Sequence, residues 1–436
     1  MEEMKKKGNV IALLPIGVFL VLYLGLGILF EYVMKIPMGF YNVPIVVAFL
    51  SAILVACVQN RTISFDRKLE LMAKGVGDKN IITMLLIFLT AGSFVGVVGR
   101  SSAESVAYCM LSLIPARFSV AVLFVVACFV SVAMGTSVGT ITLLTPIAVA
   151  VSKASGFDMA FCVASVMGGA MFGDNLSFIS DTTIAACNGQ GCQMKDKFRE
   201  NFWIAFPAAL VTLGLILVLS LRTDLGGAVN HEYHLIQMVP YILVLIGGII
   251  GINVFLVLIG GTVISLIAGV ATGNIVLADM FTVVGDGVVS MYDITVISIL
   301  VACIVSLVKM NGGIQFILDQ IKSRIHGAKG AQGGIALLSF LVDLCTANNT
   351  VAIVMTGPIA KEISDEFDVD PRRSASLLDM FTSVGQGLIP YGAQLLTAAA
   401  LTGLTPFDFM PYLIYPMLMA VCGIVAICIR RERKSA

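Results

Sequence analysis

The sequence predicts an all-α polytopic membrane protein built from two inverted-topology repeats. Each repeat is expected to hold about five crossing helices, one re-entrant hairpin and one broken helix. Three observations predict this. Of 436 residues, 58% are hydrophobic and only 12% are charged, whereas soluble domains run near half and a quarter. Long uncharged runs, among them Val10–Phe30, Ile81–Gly99, Phe202–Leu221 and Phe409–Ile429, approach or reach the roughly twenty residues that cross a hydrocarbon core. The third observation is self-similarity. GVGDKNII at Gly75 resembles GVVSMYDI at Gly287, GTSVGTITLLTPIA (135–148) resembles CTANNTVAIVMTGPIA (345–360), and GDNLSFIS at Gly173 resembles GQGLIPYG at Gly385. The aligned positions Gly75 and Gly287, Thr140 and Thr350, and Gly173 and Gly385 lie 212, 210 and 212 residues apart. The chain therefore divides into a first repeat (1–222), an extracellular linker (223–236), a second repeat (237–429) and a basic cytoplasmic tail (430–436).

Taken in order, the first run follows MEEMKKK, is too long for a signal-peptide core and lacks a cleavage site, so it reads as an uncleaved helix over 9–30. Helices over 42–59 and 80–99 follow. Segments 117–134 and 140–153 flank the polar tip GTSVGT; the second arm, near a dozen residues, is too short to cross, and 117–153 reads as a re-entrant hairpin. Segment 158–187 is a helix interrupted at Gly173–Thr183, and 201–222 closes the repeat. The second repeat has the same order: 237–251, 253–272 and 294–309, a hairpin over 331–362 with the tip TANNT, a broken helix over 374–400, and 406–429. With non-crossing hairpins each half has five crossings, an odd number, so the halves insert with opposite orientation. A cytoplasmic N-terminus leaves only Lys35, Arg100, Arg117, Lys153 and Arg222 outside, and 22 of the 27 Lys and Arg inside, as the positive-inside rule requires. The expected location is the inner (plasma) membrane of a prokaryote, with both termini cytoplasmic.

Several function classes drop out. A net charge of zero argues against a nucleic-acid partner. Cys187 and Cys192 lack a second pair, and HEYH at 231–234 is not HExxH, so no zinc site is expected. GAKGAQGG at 327–334 lacks the terminal GK[ST] of a phosphate loop, so neither ATP drive nor any cofactor beyond coupling ions is expected. The GVGD at 75–78 and the Tyr292-Asp293 pair suggest an intramembrane aspartyl protease, but the first lies in a polar cytoplasmic connector and the second on the opposite side. No enzymatic activity is expected.

Inverted repeats with interrupted helices are a signature of secondary transporters, whose sites form near the midplane where the breaks meet. Sodium seeks several oxygen ligands and one balancing charge. Asp174, Asn175, Ser177, Ser180, Asp181, Thr182 and Thr183 supply such a set in one segment, and a Na+ site is expected around Asp174. Thr136 and Ser137 add hydroxyls from the first hairpin tip, and Asn348, Asn349 and Thr350 add polar groups from the second. Burial favours the neutral form of a carboxylate, so one aspartate that takes a proton or a sodium ion, never both, suffices for exchange. The bland reading of Asp181 is a helix N-cap, and that of Asp174 a hydrogen-bonded anchor of the break. Asp343 and Asp379 are further intramembrane acids, each a proton carrier or a polar tether.

GDNLSFISDTT resembles the GDxLSPxSDTT signature of the NhaC-type sodium/proton antiporters, within the ion-transporter superfamily. The likeness extends through GTSVGTITLLTPIA, TANNTVAIVMTGPIA, LLD at 377–379 and GLIP at 387–390. It implies Na+ and H+ exchange on an inverted-repeat fold, with Asp174, Asn175, Ser177, Ser180, Asp181 and Thr182 binding the ion and Thr136, Ser137, Asn348 and Asn349 contributing from the hairpin tips. It also implies pairing of two copies in the bilayer. Two departures stand out. Phe178 replaces the signature proline, and GLIPYGAQLL replaces a second-half pattern that runs SPLxPWNTCG. Asp379, Gln386, Tyr391 and Gln394 are therefore expected to serve a substrate or second site. The alternative function is Na+- or H+-coupled transport of a small carboxylate or amino acid.

Overall fold

The computed structural model describes residues 8–36, 42–178, 180–223, 235–250 and 252–429. The MEEMKKK lysines, residues 224–234 of the expected linker with His231 and His234, and the basic tail lie outside the described residues. The described elements are all helical. Val10–Val33 is one run of short 3-10, α and π pieces containing α1 (Leu14–Leu20) and α2 (Leu26–Ile28). There follow α3 (Ile45–Gln59), α4 (Phe65–Val76), α5 (Lys79–Leu113), α6 (Ser119–Met134), α7 (Ser137–Ser155), α8 (Met159–Leu176), α9 (Asp181–Gln190) and α10 (Met194–Arg222). The second half holds α11 (Leu235–Ile249), α12 (Val254–Ala271), α13 (Met280–Ser290), α14 (Tyr292–Met310), α15 (Gly313–Lys322), α16 (Gly327–Thr346) and α17 (Asn349–Phe367). It closes with α18 (Pro371–Leu388), α19 (Ala393–Thr402), α20 (Pro406–Phe409) and α21 (Ile414–Ile429). Among the described residues nine helices are long and apolar enough to cross a membrane, or ten if the bent pair Pro371–Thr402 and Pro406–Tyr412 counts as one.

The breaks recur at a single spacing. Gly135, Gly156 and Gly191 end helices in the left-handed region, and residues 212 positions later, Ala347, Asp368 and Gly403, do the same. The N-caps follow the same rule: Thr136, Asp158 and Ser180 correspond to Asn348, Asp370 and Gly392. Thr136 accepts from the Gly139 amide and Asn348 from the Val351 amide, so both hairpin arms begin on a side-chain cap that satisfies an orphan donor. Pro146 and Pro358 lie at the same distance. The 210-residue spacing expected between Thr140 and Thr350 is thus corrected: the structural partner of Thr140 is Ala352, and the cap residues rather than the threonines set the register.

Some elements differ from expectation. α7 and α17 have 19 residues each, about 28 Å of helix, not the expected dozen. Length alone therefore does not mark these arms as re-entrant. α5 runs on to Leu113 rather than ending at 99. The polar connector after residue 60 contains the amphipathic α4, so the GVGD at 75–78 is the end of a helix, with Gly75 packed against Ser306 of α14. Segments assigned to the cytoplasmic side touch one another: the Asn9 amide donates to Gly312 O at 3.0 Å, Asn60 Nδ2 to Asn311 Oδ1 at 2.9 Å, and Lys329 Nζ to Cys428 O at 2.6 Å. Buried Lys68 donates to Cys57 O and Asn60 O at the end of α3, where a cation suits the unpaired carbonyls.

The broken segment forms the interior. Across Met159–Gln190, 89% of the most apolar window is buried, against 28% for Val10–Ile28. Small residues allow this, and Gly173 shows how. A Cβ there would lie 2.5 Å from both Cys128 O and Ser131 Cβ on α6, so only glycine lets α8 approach so closely.

Candidate ion-binding site

The first break lies between Leu176 and Asp181, with Ser177 and Ser180 in extended conformation. Ending a helix leaves carbonyls without partners, and starting one leaves amides. The carbonyl of Asn175 is met by Asn201 Nδ2 at 2.8 Å and Lys197 Nζ at 3.3 Å, both from α10. Ser180 is the N-cap of α9, yet its hydroxyl does not cap the helix. It turns instead to Asp174.

Asp174 is buried and is the centre of a directed chain of hydrogen bonds. Its Oδ1 accepts from Ser180 Oγ at 2.6 Å and its Oδ2 from Ser137 Oγ at 2.9 Å. Ser180 spends its one proton on the carboxylate, so the 2.8 Å contact with Thr182 Oγ1 is a bond in which Thr182 donates. By the same reasoning Ser137 accepts from Gln394 Nε2, 2.8 Å away on α19. The chain runs Gln394 to Ser137 to Asp174, and Thr182 to Ser180 to Asp174. It joins the first hairpin tip, both sides of the first break and the start of the resumed helix in the second half. No lysine or arginine pairs with Asp174 among the described residues; Lys197, close by in the same interior, is engaged by Asp379. Gln394 Oε1, on the amide whose Nε2 meets Ser137, is buried without a donor among the described residues.

A second polar cluster lies behind the first. Lys197 Nζ and Asp379 Oδ2 form an ion pair at 2.6 Å, both side chains 1% exposed. Lys197 also donates to Thr183 Oγ1 at 2.6 Å, and Asn201 Nδ2 to Asp379 Oδ2 at 2.9 Å. Asn175 Nδ2 reaches Ser383 Oγ and Met419 Sδ, each at 3.2 Å. The second break, Ile389 to Gly392, has its own acid. Asp343 on α16 is 0% exposed and accepts from Gln386 Nε2 at 3.3 Å. Tyr391 donates to Leu344 O at 2.7 Å, and residues around it line an apolar cavity with Phe19 and Phe49.

The structure brings together Asp174, Ser180, Thr182, Ser137 and Gln394 of the expected residues, with buried Asn175 and Ser177 adjoining them. Asp181 does not join: it is exposed, at the first position of α9, because Ser180 takes the cap position and turns the next side chain outward. Thr136 and Asn348 are caps. Asn349 accepts from the neighbouring Thr350 amide, and among the described residues these second-tip side chains make no hydrogen bond to Asp174. Asp379, Gln386 and Tyr391 belong to the clusters around Lys197 and Asp343 instead. Lys197 and Asn201 escape a reading of the sequence because KDKFREN looks like the solvated cytoplasmic start of a helix. Only the buried acid opposite, Asp379, hinted at a partner.

Residues 9–221 and 227–430 match the model of the Na+/H+ antiporter family. The chain belongs to that family. The antiporter is 21% identical over 436 residues to the malate-2H(+)/Na(+)-lactate antiporter of Bacillus subtilis (strain 168), covering 92% of this chain and 90% of that one. It is 23% identical to the Na(+)/H(+) antiporter NhaC of Alkalihalophilus pseudofirmus, over 75% and 78% of the two chains. It is 22% identical to the arginine/ornithine antiporter ArcD of Halobacterium salinarum, over 67% and 68%. Among solved structures, the Alcanivorax borkumensis YdaH transporter aligns with a TM-score of 0.46 at 13% identity, covering 88% of this chain and 95% of that one. The antiporter is thus a multi-pass membrane protein of the secondary-transport class, as the signature around Asp174 implied.

Proposed function

We propose that the antiporter exchanges Na+ for H+ on Asp174, which holds one or the other at each turn of the cycle. The carrying observation is a buried carboxylate whose hydrogen-bond partners are two serine hydroxyls, with no cation paired to it among the described residues. An isolated ionised carboxylate is costly away from water, so its charge is balanced by a proton on the oxygen or by a metal ion beside it. Asp174, Ser137, Ser180, Thr182 and the donor-free Gln394 Oε1 offer the oxygens a hard monovalent cation takes. Sodium binding requires the serine protons to turn away and their lone pairs to turn in. Protonation uses the same carboxylate oxygens, so the two ligands exclude each other.

The Asp174 hydrogen-bond chain and the Lys197–Asp379 pair both span the two repeats. Relative movement of the repeats would open the site to one side or the other, as inverted repeats inserted with opposite orientation allow. The names of two relatives, which carry malate and lactate or arginine and ornithine, support a second reading: coupled exchange of a small carboxylate or amino acid.

Everted membrane vesicles carrying the protein test both readings. Sodium addition should dequench a pH-gradient dye, Asp174→Asn should abolish the response, and Asp78→Asn should not. A response to labelled malate, lactate, arginine or ornithine with none to sodium alone would favour the second reading over the first.

A further inference from the structure

The second repeat has its own acid at its break, and that acid lacks a partner the fold would ordinarily supply. Asp343 lies one turn before the left-handed Ala347 and is wholly enclosed. Its Oδ1 accepts from Gln386 Nε2 at 3.3 Å. Among the described residues its Oδ2 has no donor, and neither does Gln386 Oε1, though Gln386 is only 2% exposed. Gly385 leaves room for this contact: a Cβ there would stand 2.5 Å from Asp343 Oδ2.

The 212-residue spacing explains the arrangement. It pairs Gly385 with Gly173, Gln386 with Asp174 and Asp343 with Ser131. The glycines make the same contact in both repeats, Gly173 against Ser131 and Gly385 against Asp343. The acid has moved from the broken helix to the facing hairpin arm, and an amide stands in its former place.

We propose that Asp343 and Gln386 form a proton-binding site of the second repeat, separate from the cation site at Asp174. Two orphaned oxygens on two touching side chains are satisfied together by one hydrogen: on the carboxyl it becomes a donor, and the amide oxygen is the acceptor it needs. The amide and carboxyl already meet through Nε2 and Oδ1, so closing a two-bond acid–amide pair takes one hydrogen and no new residue. A metal ion fits poorly, because hard cations collect about six oxygens and only two here lack donors.

The surroundings supply no balancing charge. The ionisable groups facing Asp343 are the Cys345 thiol on its own helix and the Tyr391 phenol at the break. The elements packed against α16, namely α14, α15, α17, α18 and α21, present no charged side chain to it among the described residues. The buried cations near α18 are engaged elsewhere, Lys197 by Asp379, and Arg373 by Gln332 and Glu200.

Infrared spectroscopy of the lipid-reconstituted protein, with aspartate carboxyls isotopically labelled, tests this apart from the role of Asp174. In the Asp174→Asn background, which removes the carboxyl of the cation site, a protonated-aspartate C=O band should be present near neutral pH, survive sodium addition and vanish when Asp343→Asn is added. In Gln386→Leu it should shift, because the acid loses its hydrogen-bond partner. The proposal is overturned if no protonated-aspartate band is present in Asp174→Asn, if the band seen there persists when Asp343→Asn is added, or if sodium removes it there. Should Asp343→Asn not fold, an unshifted band in Gln386→Leu overturns the proposal by itself. Loss of sodium exchange in Asp174→Asn bears on the cation site and leaves this band untouched.

Discussion

Gln394 Nε2 donates to Ser137 Oγ across 2.8 Å, and through that serine a side chain of the second half of the chain reaches Asp174. Gln394 lies 212 residues after Thr182, which makes the corresponding contact with Ser180 on the other carboxylate oxygen. Equivalent positions in the two repeats therefore brace the two sides of one carboxylate. Replacing Gln394 by Leu removes a donor to Ser137 and, in the proposed cation site, an oxygen. The half-maximal sodium concentration for dye dequenching in everted vesicles should rise about tenfold, about 1.4 kcal/mol, with the maximal rate retained. An unchanged sodium dependence would remove Gln394 from the site.

The Lys197–Asp379 pair should behave as a buried unit. Lys197→Met alone leaves Asp379 unpaired and should destabilise the protein by roughly 3–5 kcal/mol. The double variant Lys197→Met with Asp379→Leu should recover most of that, since an apolar replacement removes both desolvated charges. Thermal unfolding of purified protein in detergent measures the cycle. Additive losses in the double variant would show that the two side chains are not coupled.

At the hairpin tips the repeats differ in one informative way. Gly135 sits at φ 67° and its counterpart Ala347 at φ 47°, a region that costs an L-residue roughly 1–2 kcal/mol. Ala347→Gly should raise the thermal midpoint by relieving about 1 kcal/mol, and Gly135→Ala should lower it by a similar amount. A midpoint lowered by Ala347→Gly would contradict the strain at this tip.

At the start of α18, outside the spanning segments, the Arg372 guanidinium hydrogen-bonds Asp370 and holds its carboxyl below the ordinary aspartate range. A lowered folded-state value means the stabilisation is complete above the unfolded aspartate value of about 3.9. It is lost as pH falls through the lower folded value. Stability measured down through that window should fall less steeply in Asp370→Asn than in the parent, while the two curves run parallel above about pH 5.

Much of this architecture was legible because membrane burial and repetition leave strong marks. Long uncharged runs gave the spans, and the polar dozen from Phe172 to Thr183 marked the break, since such residues at that depth need partners. The contacts across the repeats were not legible. Nothing in a single sequence says that Gln394 meets Ser137 or that Lys197 turns inward from a polar helix start. Asp343 was visible as an acid in an apolar run, but its place at the second break depends on an arm-to-helix contact 43 residues away in sequence. Asp181 lies apart from the Asp174 cluster for a local reason. Two aspartates in one motif look equivalent until the cap assigns one side chain inward and the next outward.

Addition of sodium to weakly buffered, detergent-purified antiporter, with proton release recorded by an indicator dye, tests the central claim most directly. One carboxylate that exchanges a proton for sodium predicts saturable release of about one proton per chain, absent in Asp174→Asn and present in Asp181→Asn and Asp343→Asn. Sodium binding without proton release, or undiminished release from Asp174→Asn, would contradict it.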